Sequence, residues 1–515
     1  MPDIAKSMDK LSRRDFLNLA GVASLGLALS PFLVRPHSQP QEGSTTNVLV
    51  IVFDAFSALH LSLHGYLRET TPNLARLAEQ AVVYHHHYAN GNFTTPGVAS
   101  LLTGTLPWTN RGFNFNGTVD ETFVTKNLFH AFPGHYRLAY SHNLLVNTLL
   151  EQFLGDIKNY IPRQDLFLDN YGIAGNLLKN DEDIASVAWV RIAKLKKEGF
   201  AYSLFLSHLY EWLKEREISV YKKNFPRGLP NIREDDFFLL EHAINRLIAE
   251  LTASPCPFLG YFHFMPPHAP YKTRKEFYGR FADGWQPKEK PEHSYTQHRD
   301  YALLSKKRTW YDEFILYVDH EFARLYEFME QSGLLENTWL ILTSDHGEMF
   351  ERGISGHATK VFFEPVIRVP LLVFEPGRKT RQDIFTPTQA IDLFPTLLHV
   401  TGQEIPAWCE GGVLPPYIPA APGQPRSIFA LQARYNEKYA PIQEATAMLV
   451  RWPYKLVHYF GYEELGDAGE MMELYHLEND PDELDDLSIS HKGVASELLD
   501  ELQTAINKAD RLYQT

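Results

Sequence analysis

Apolar and polar positions divide the chain into short buried runs and longer amphipathic stretches. Residues 48–53 read Val-Leu-Val-Ile-Val-Phe without a polar break. Such a run after Asn47 predicts a strand over 47–53 covered on both faces, and it ends at Asp54. A second run, 339–343, ends at Ser344-Asp345-His346. Residues 258–264 and 369–374 predict further strands, and helical spacing is found over 71–81, 181–197, 235–252 and 310–332. Strands alternating with helices imply an α/β fold: a large mixed, mostly parallel sheet sandwiched by helices. Ligands of such sheets bind beyond the carboxyl ends of the strands. Asp54, His268 and Asp345-His346 all follow strand runs, so one pocket can gather them. Residues 110–230 carry no clear motif and are expected to shape the substrate entrance. Beyond about residue 401 the texture changes. Short strands over 428–433, 446–452 and 454–459 and a terminal helix from Gly493 predict a small C-terminal α+β subdomain.

The N-terminal segment has a different character. Ser-Arg-Arg-Asp-Phe-Leu-Asn-Leu at 12–19 precedes a mildly apolar stretch over 20–34. Paired arginines ahead of such a stretch resemble a twin-arginine export signal. The expected location is therefore periplasmic or extracellular, or on the outer face of a membrane if residues 1–34 are kept as an anchor. Residues 35–46, rich in Pro, Ser, Gln and Thr, read as a linker. The expected organisation is signal or anchor 1–34, linker 35–46, catalytic domain 47–400 and subdomain 401–515.

Composition narrows the field. The 515 residues are 44% hydrophobic and 22% charged, the values of a folded globular chain rather than a fibrous or disordered one. A length prior suggests three domains, but one large α/β domain with an appendage fits equally. The formal charge of −14, with no strongly basic stretch, argues against a nucleic-acid partner. Two cysteines, Cys256 and Cys409, make neither a disulfide framework nor a thiolate metal site.

Asp54 closes a buried strand, where a carboxylate is costly unless it is paired or bound to a cation. Asp345 and His346 close another and add an oxygen and an imidazole suited to a divalent metal. Spacing alone leaves that site open. Thr94-Thr95-Pro96-Gly97-Val98-Ala99-Ser100-Leu101-Leu102-Thr103-Gly104 resembles the nucleophile motif of the sulfatase branch of the alkaline phosphatase superfamily, Cys/Ser-x-Pro-x-Arg followed by a helix ending Leu-Leu-Thr-Gly. The resemblance continues through 47–54, Pro72-Asn73-Leu74, the Pro-Pro-His-Ala-Pro-Tyr stretch at 266–271, Tyr317-Val318-Asp319, Thr343 to Glu348, Ile367 to Leu371, Asp392 to Thr396 and Glu473 to Pro481.

Two departures decide what the resemblance implies. Thr94 stands where sulfatases carry the Cys or Ser that is oxidised to an aldehyde, and Val98 stands where they carry arginine. Threonine cannot give that aldehyde, because its β-carbon bears a methyl group. A plain threonine nucleophile resembles instead the lipoteichoic acid synthases, phosphoethanolamine transferases and nucleotide pyrophosphatase/phosphodiesterases, which act on phosphoesters. The resemblance implies a metal-dependent phosphodiesterase or phosphoryl transferase with Thr94 as covalent nucleophile and Asp54, Thr94, Asp345 and His346 around a divalent cation. His346, in place of the usual Asn, favours Zn or Mn over Ca or Mg. His268 and His357 match histidines that touch the phosphoryl group or hold a second metal. The implied substrate is an envelope or extracellular phosphoester, such as a lipid head group or glycan. A sulfatase working without the aldehyde is the alternative, and a non-catalytic binding protein is a third reading. Lys360 lies one residue out of register with a family anion-binding lysine, Arg368 is expected to pair structurally, and His85-His86-His87 is not expected to be a metal tract because alternate residues face opposite ways.

Overall fold

The side chains of Val48 to Phe53 are wholly shielded from solvent, and their alternation divides the core in two. Leu49, Ile51 and Phe53 join one cluster, with Phe264, Phe322 and Leu342. Val48, Val50 and Val52 join the other, with Val98, Leu101 and Phe394. Each shielded side chain contributes about 2 kcal/mol relative to an exposed one. This computed structural model describes residues 46–168, 201–232, 236–418 and 426–513.

In chain order the strands are β1 (Asn47–Asp54), β2 (Val82–Tyr84), β3 (His87–Tyr88), β4 (Tyr136–Ser141), β5 (Asn159–Ile161), β6 (Phe258–Pro267), β7 (Thr338–Thr343), β8 (Met349–Glu351), β9 (Ile354–Gly356), β10 (Leu371–Phe374), β11 (Gln382–Ile384), β12 (Thr388–Gln389), β13 (Ile428–Gln432), β14 (Ala445–Arg451), β15 (Tyr454–Phe460) and β16 (Glu470–His476). Eight form one sheet in the order β11-β2-β10-β7-β1-β6-β4-β5. It is parallel except for β10, which runs against both neighbours. The 31-residue helix Tyr301–Gln331 covers the first face and the helix Thr94–Thr103 the second. This is the mixed, mostly parallel α/β sandwich that the apolar runs predict. Among the described residues no helix is long and apolar enough to cross a membrane.

Several boundaries differ from the sequence reading. The helix expected over 235–252 is Leu240–Ala253, because Phe237 and Phe238 make bridge pairs with Asn231 and Phe167 instead. The helix expected from 310 starts at Tyr301, where Asp300 accepts the Leu303 N–H at 3.3 Å and caps it. The stretch 110–230 does more than shape an entrance: it supplies β4, next to β6 in the sheet. The helix expected over 181–197 and the segment 1–45 lie outside the described residues.

The C-terminal part is a four-stranded antiparallel sheet, β13-β14-β15-β16. Leu449, Leu456 and Leu474 on one face pack against Leu498, Leu502 and Ile506 of the helix Lys492–Asp510. Met448, Val450 and Val457 on the other pack against Met349, Val361 and Val366 of the larger domain. A buried charge cluster joins the two parts. Lys455 Nζ sits 2.9 Å from Glu364 and 2.8 Å from Glu483, and Glu483 also accepts the Glu364 N–H at 2.8 Å.

Burial, eased only in part by Lys455, pushes the Glu483 carboxyl from 4.5 up to about 7. The folded state then holds a proton that the unfolded state has released, so this group's contribution to stability is complete below pH 4.5 and is lost as pH rises toward 7. Replacing Lys455 by Met strands both carboxylates. We expect a loss of about 3–5 kcal/mol in urea unfolding, larger at pH 8 than at pH 6. An unchanged midpoint at both pH values would show that the cluster holds nothing together.

Candidate active site

The parallel register sets Val52 of β1 opposite Thr343 of β7 and His263 of β6, and His263 opposite Ser141 of β4. These positions belong to the second face of the sheet, so Asp54, Asp345 and Asn143 arrive two residues later from β1, β7 and β4. Asp54 and Asp345 are fully buried. One oxygen of each is held. Asp54 Oδ2 faces Asn143 Nδ2 at 2.5 Å and His263 Nε2 at 3.2 Å, while Asp345 Oδ1 accepts the N–H groups of Ala55 at 3.3 Å and His346 at 3.1 Å. The other oxygens, Asp54 Oδ1 and Asp345 Oδ2, have no hydrogen-bond partner.

His346 stands between those two free oxygens. Its Nε2 lies 3.5 Å from Asp54 Oδ1, 3.4 Å from Asp345 Oδ2 and 3.5 Å from Thr94 Oγ1. Nδ1 donates to the Gly347 carbonyl at 2.9 Å, which leaves the Nε2 lone pair facing inward. Burial lowers the His346 pKa, so the ring is neutral. Burial also opposes ionisation of both carboxyls. At Asp54 the surrounding His268, His263 and His346 outweigh it and hold the group well below the usual range. At Asp345 the charge of Asp54 adds to burial and raises the pKa. Two buried carboxylates with unpartnered oxygens, faced by a neutral imidazole nitrogen, suit a divalent cation. Donor atoms of Asp54, His263 and Asp345 also come within 4.8 Å of one another.

Thr94 opens the helix Thr94–Thr103, after Phe93 in an extended conformation. By position, the N–H groups of Thr94 and Thr95 have no acceptor inside the helix, and Pro96 has no N–H to offer. Gly97 fixes the closeness of this helix: a Cβ there would lie 2.2 Å from the Asp345 carbonyl oxygen. Val98, where the family motif has arginine, is buried in the second core cluster. The helix ends at Gly104, with φ +66°.

Both expected histidines reach the site. The His357 ring lies 4.1 Å from that of His346 and 4.9 Å from that of His268, centroid to centroid. His357 Nδ1 bonds Glu348 at 3.1 Å and His268 Nδ1 bonds the Ala269 carbonyl at 2.7 Å. Opposed by burial, the surrounding histidines His357, His268 and His346 and the His357 hydrogen bond lower the Glu348 pKa, so it is a carboxylate.

Lys360 does not join this group, because its ammonium pairs with Glu464 at 2.5 Å. Arg368 pairs structurally, donating to the His85 carbonyl at 2.8 Å. The three consecutive histidines diverge: His85 to Asp383, His86 onto the Trp452 ring, His87 to Thr388.

Sequence reasoning missed His263 and Asn143. The signal for His263 was present: it is a lone polar residue in an apolar strand, in phase with the inward side chains. Asn143 gave no comparable signal, since β4 itself was not recognised.

Solved structures define the class to which this architecture belongs. Phosphonate monoester hydrolase of Agrobacterium radiobacter superposes with a TM-score of 0.65 at 19% identity, covering 90% of this chain and 96% of its own. A structure solved with D-glucosamine-2-N,6-O-disulfate superposes at 0.63 with 15% identity, covering 92% and 98%. The fold is that of the alkaline phosphatase and sulfatase enzymes. Residues 46–403 match the Sulfatase family, and the chain belongs to it: a hydrolase family acting on esters, whose members bind a divalent metal. Residues 355–511 match the C-terminal part of N-sulphoglucosamine sulphohydrolase. Among sequence relatives are choline-sulfatase of Rhizobium meliloti, 24% identical over 82% of this chain and 78% of its own, and multifunctional alkaline phosphatase superfamily protein PehA of Trinickia caryophylli, 23% identical over 86% and 91%.

The Gly97 contact yields a direct test. Gly97→Ala must push the helix away from Asp345, because the blocking atom is backbone. We expect a folded protein that has lost most of its bound divalent metal, read by elemental analysis, and at least 100-fold in activity. Full metal content with wild-type activity would show that the helix start is not part of the site.

Proposed function

We propose that this chain is a metal-dependent hydrolase or transferase of phosphorus esters that uses unmodified Thr94 as covalent nucleophile. The observation that carries the reading is a threonine at the start of a helix, 3.5 Å from His346 Nε2, beside two buried carboxylates. Asp54, Asp345 and His346 would hold the cation, and the imidazole among them favours Zn or Mn. When bound, the cation supplies Lewis-acid activation of the Thr94 hydroxyl and neutralises the carboxylates.

Thr94 gives its proton to solvent, and Oγ1 attacks phosphorus in line with the departing ester oxygen. The P–O bond to the leaving group breaks as that oxygen takes a proton from Nε2 of His268 or His357, whose Nδ1 atoms are already engaged. The N–H groups of Thr94 and Thr95 face the non-bridging oxygens at the positive end of the helix. Water, or an acceptor alcohol in a transferase, then attacks phosphorus and gives its proton to the same imidazole. The P–Oγ1 bond breaks and Oγ1 recovers a proton from solvent.

The relatives include proteins named for sulfate esters and others named for phosphonate monoesters; the residue at 94 is what tips the choice. Thr94→Ala should cost roughly 10⁴–10⁶-fold, the loss found when covalent nucleophiles are removed, and Thr94→Ser should restore part of it. Mass spectrometry should find residue 94 at threonine's mass, with a phosphate adduct after acid quench on a p-nitrophenyl phosphodiester. Clear preference for p-nitrophenyl sulfate over phosphodiester and phosphonate substrates would return the chain to sulfuryl chemistry.

We also propose export by the twin-arginine route to the periplasm or outer membrane face. Changing Arg13 and Arg14 together to Lys should hold the protein in the cytoplasm, and undiminished export of that variant would assign it to another pathway.

A further inference from the structure

After β4 the chain turns at Ser141-His142-Asn143 into the helix Leu144–Gln152. Asn143 caps that helix. Its Oδ1 accepts the Leu145 N–H at 2.8 Å, its own N–H donates to Ser141 Oγ at 3.0 Å, and its carbonyl accepts Asn147 Nδ2 at 2.7 Å. These bonds settle the orientation of the side-chain amide. Turning it over would set the NH₂ group against the Leu145 N–H, donor against donor. Nδ2 is therefore held toward the active site, where it lies 2.5 Å from Asp54 Oδ2 and 3.2 Å from Thr94 Oγ1.

Capping alone does not call for asparagine. Serine and aspartate cap about as well, but serine would offer no donor at Nδ2's position, and aspartate would set a third carboxylate against Asp54. What separates asparagine from both is a neutral double donor aimed at two acceptors. One of its N–H bonds, together with His263 Nε2, holds Asp54 Oδ2 and leaves Oδ1 free on the other side. The other reaches the oxygen on which charge develops.

We propose that Asn143 is a catalytic residue: its amide N–H donates to Thr94 Oγ1 and stabilises the charge on that oxygen in both steps. In the first step Oγ1 carries charge as the nucleophile before the P–O bond forms. In the second it carries charge again as the P–Oγ1 bond breaks. The inference rests on the Thr94 reading given above.

Asn143→Ser tests it, because serine keeps the helix cap and removes the donor; Asn143→Asp keeps cap and size and replaces donor by acceptor. The Ser variant should melt within a few degrees of the parent and retain its divalent metal on elemental analysis. Each variant should lose about 100- to 1000-fold in kcat, the cost of one oxyanion donor, with KM little changed. The phospho-threonine adduct should also decay more slowly after substrate is removed. In a Thr94→Ala background, Asn143→Ser should cost almost nothing further, since its acceptor is gone. Near-parental kcat in the Ser variant, loss of its metal, or a full additional loss in the Thr94→Ala background would each overturn the role of Asn143. Those results leave the nucleophile assignment intact as long as Thr94→Ala alone is inactive. An active Thr94→Ala protein would overturn both.

Discussion

Two buried carboxylates stand at the ends of neighbouring strands, and much of the structure is arranged around the conflict between their charge and their burial. Asp54 and Asp345 each have one oxygen tied down by donors and one left without a partner. Burial disfavours charge on both, and the charge on Asp54 makes ionisation of Asp345 harder still. A divalent cation is one group that would relieve that strain, and the two free oxygens suit it. The neighbouring groups fit such a cation. His346 is neutral and turns a lone pair inward, His263 and Asn143 supply donors, and no lysine or arginine among the described residues pairs with either aspartate.

How the site is assembled follows from strand geometry. Side chains alternate across a strand, so the residues two places beyond Val52, Thr343 and Ser141 return to the face those three share, although β1 and β6 slip out of register between Phe53 and Asp54. The same phase that sends Val48, Val50 and Val52 into one core cluster delivers Asp54 to the face where the Thr94 helix lies. The close approach at Gly97 then locks helix to strand end. Packing and chemistry share one repeat here, and shifting any one strand by a single residue would turn its functional side chain to the far face.

That sharing also explains what could be read in advance. β1, β6 and β7 were legible because strands buried on both faces are apolar without interruption, and Asp54, His268, Asp345 and His346 stand where those runs stop. Thr94 and His357 were legible only through the motifs around them. β4 was not, because Tyr-Arg-Leu-Ala-Tyr-Ser breaks the run with an arginine. That guanidinium donates from Nη1 to the Phe129 carbonyl at 3.3 Å, a contact that no local pattern reveals. Asn143 was lost with its strand. β2, β5 and β11 have three residues each, too few to display a period. His263 could have been found by extending the alternation of β6, since a lone histidine between Phe262 and Phe264 has no reason of packing to be there.

The seam between the two sheets bears on how this protein could have changed over time. Asn90, four residues before Thr94 and fully buried, accepts the Leu431 N–H at 3.0 Å through its carbonyl. Its side chain donates to the Phe429 carbonyl at 2.7 Å and to Gln389 at 3.0 Å, and accepts the Ile391 N–H at 3.1 Å. The loop that presents Thr94 is thus stitched to β13, the first strand of the C-terminal sheet. A chain ending at residue 403, where the Sulfatase match stops, would leave the amide of Asn90 facing nothing on that side. The two parts of the protein are therefore not interchangeable modules. Recombination could exchange the C-terminal sheet for that of a relative only if the incoming edge strand offered the same backbone groups to Asn90, so the two halves are expected to be inherited together.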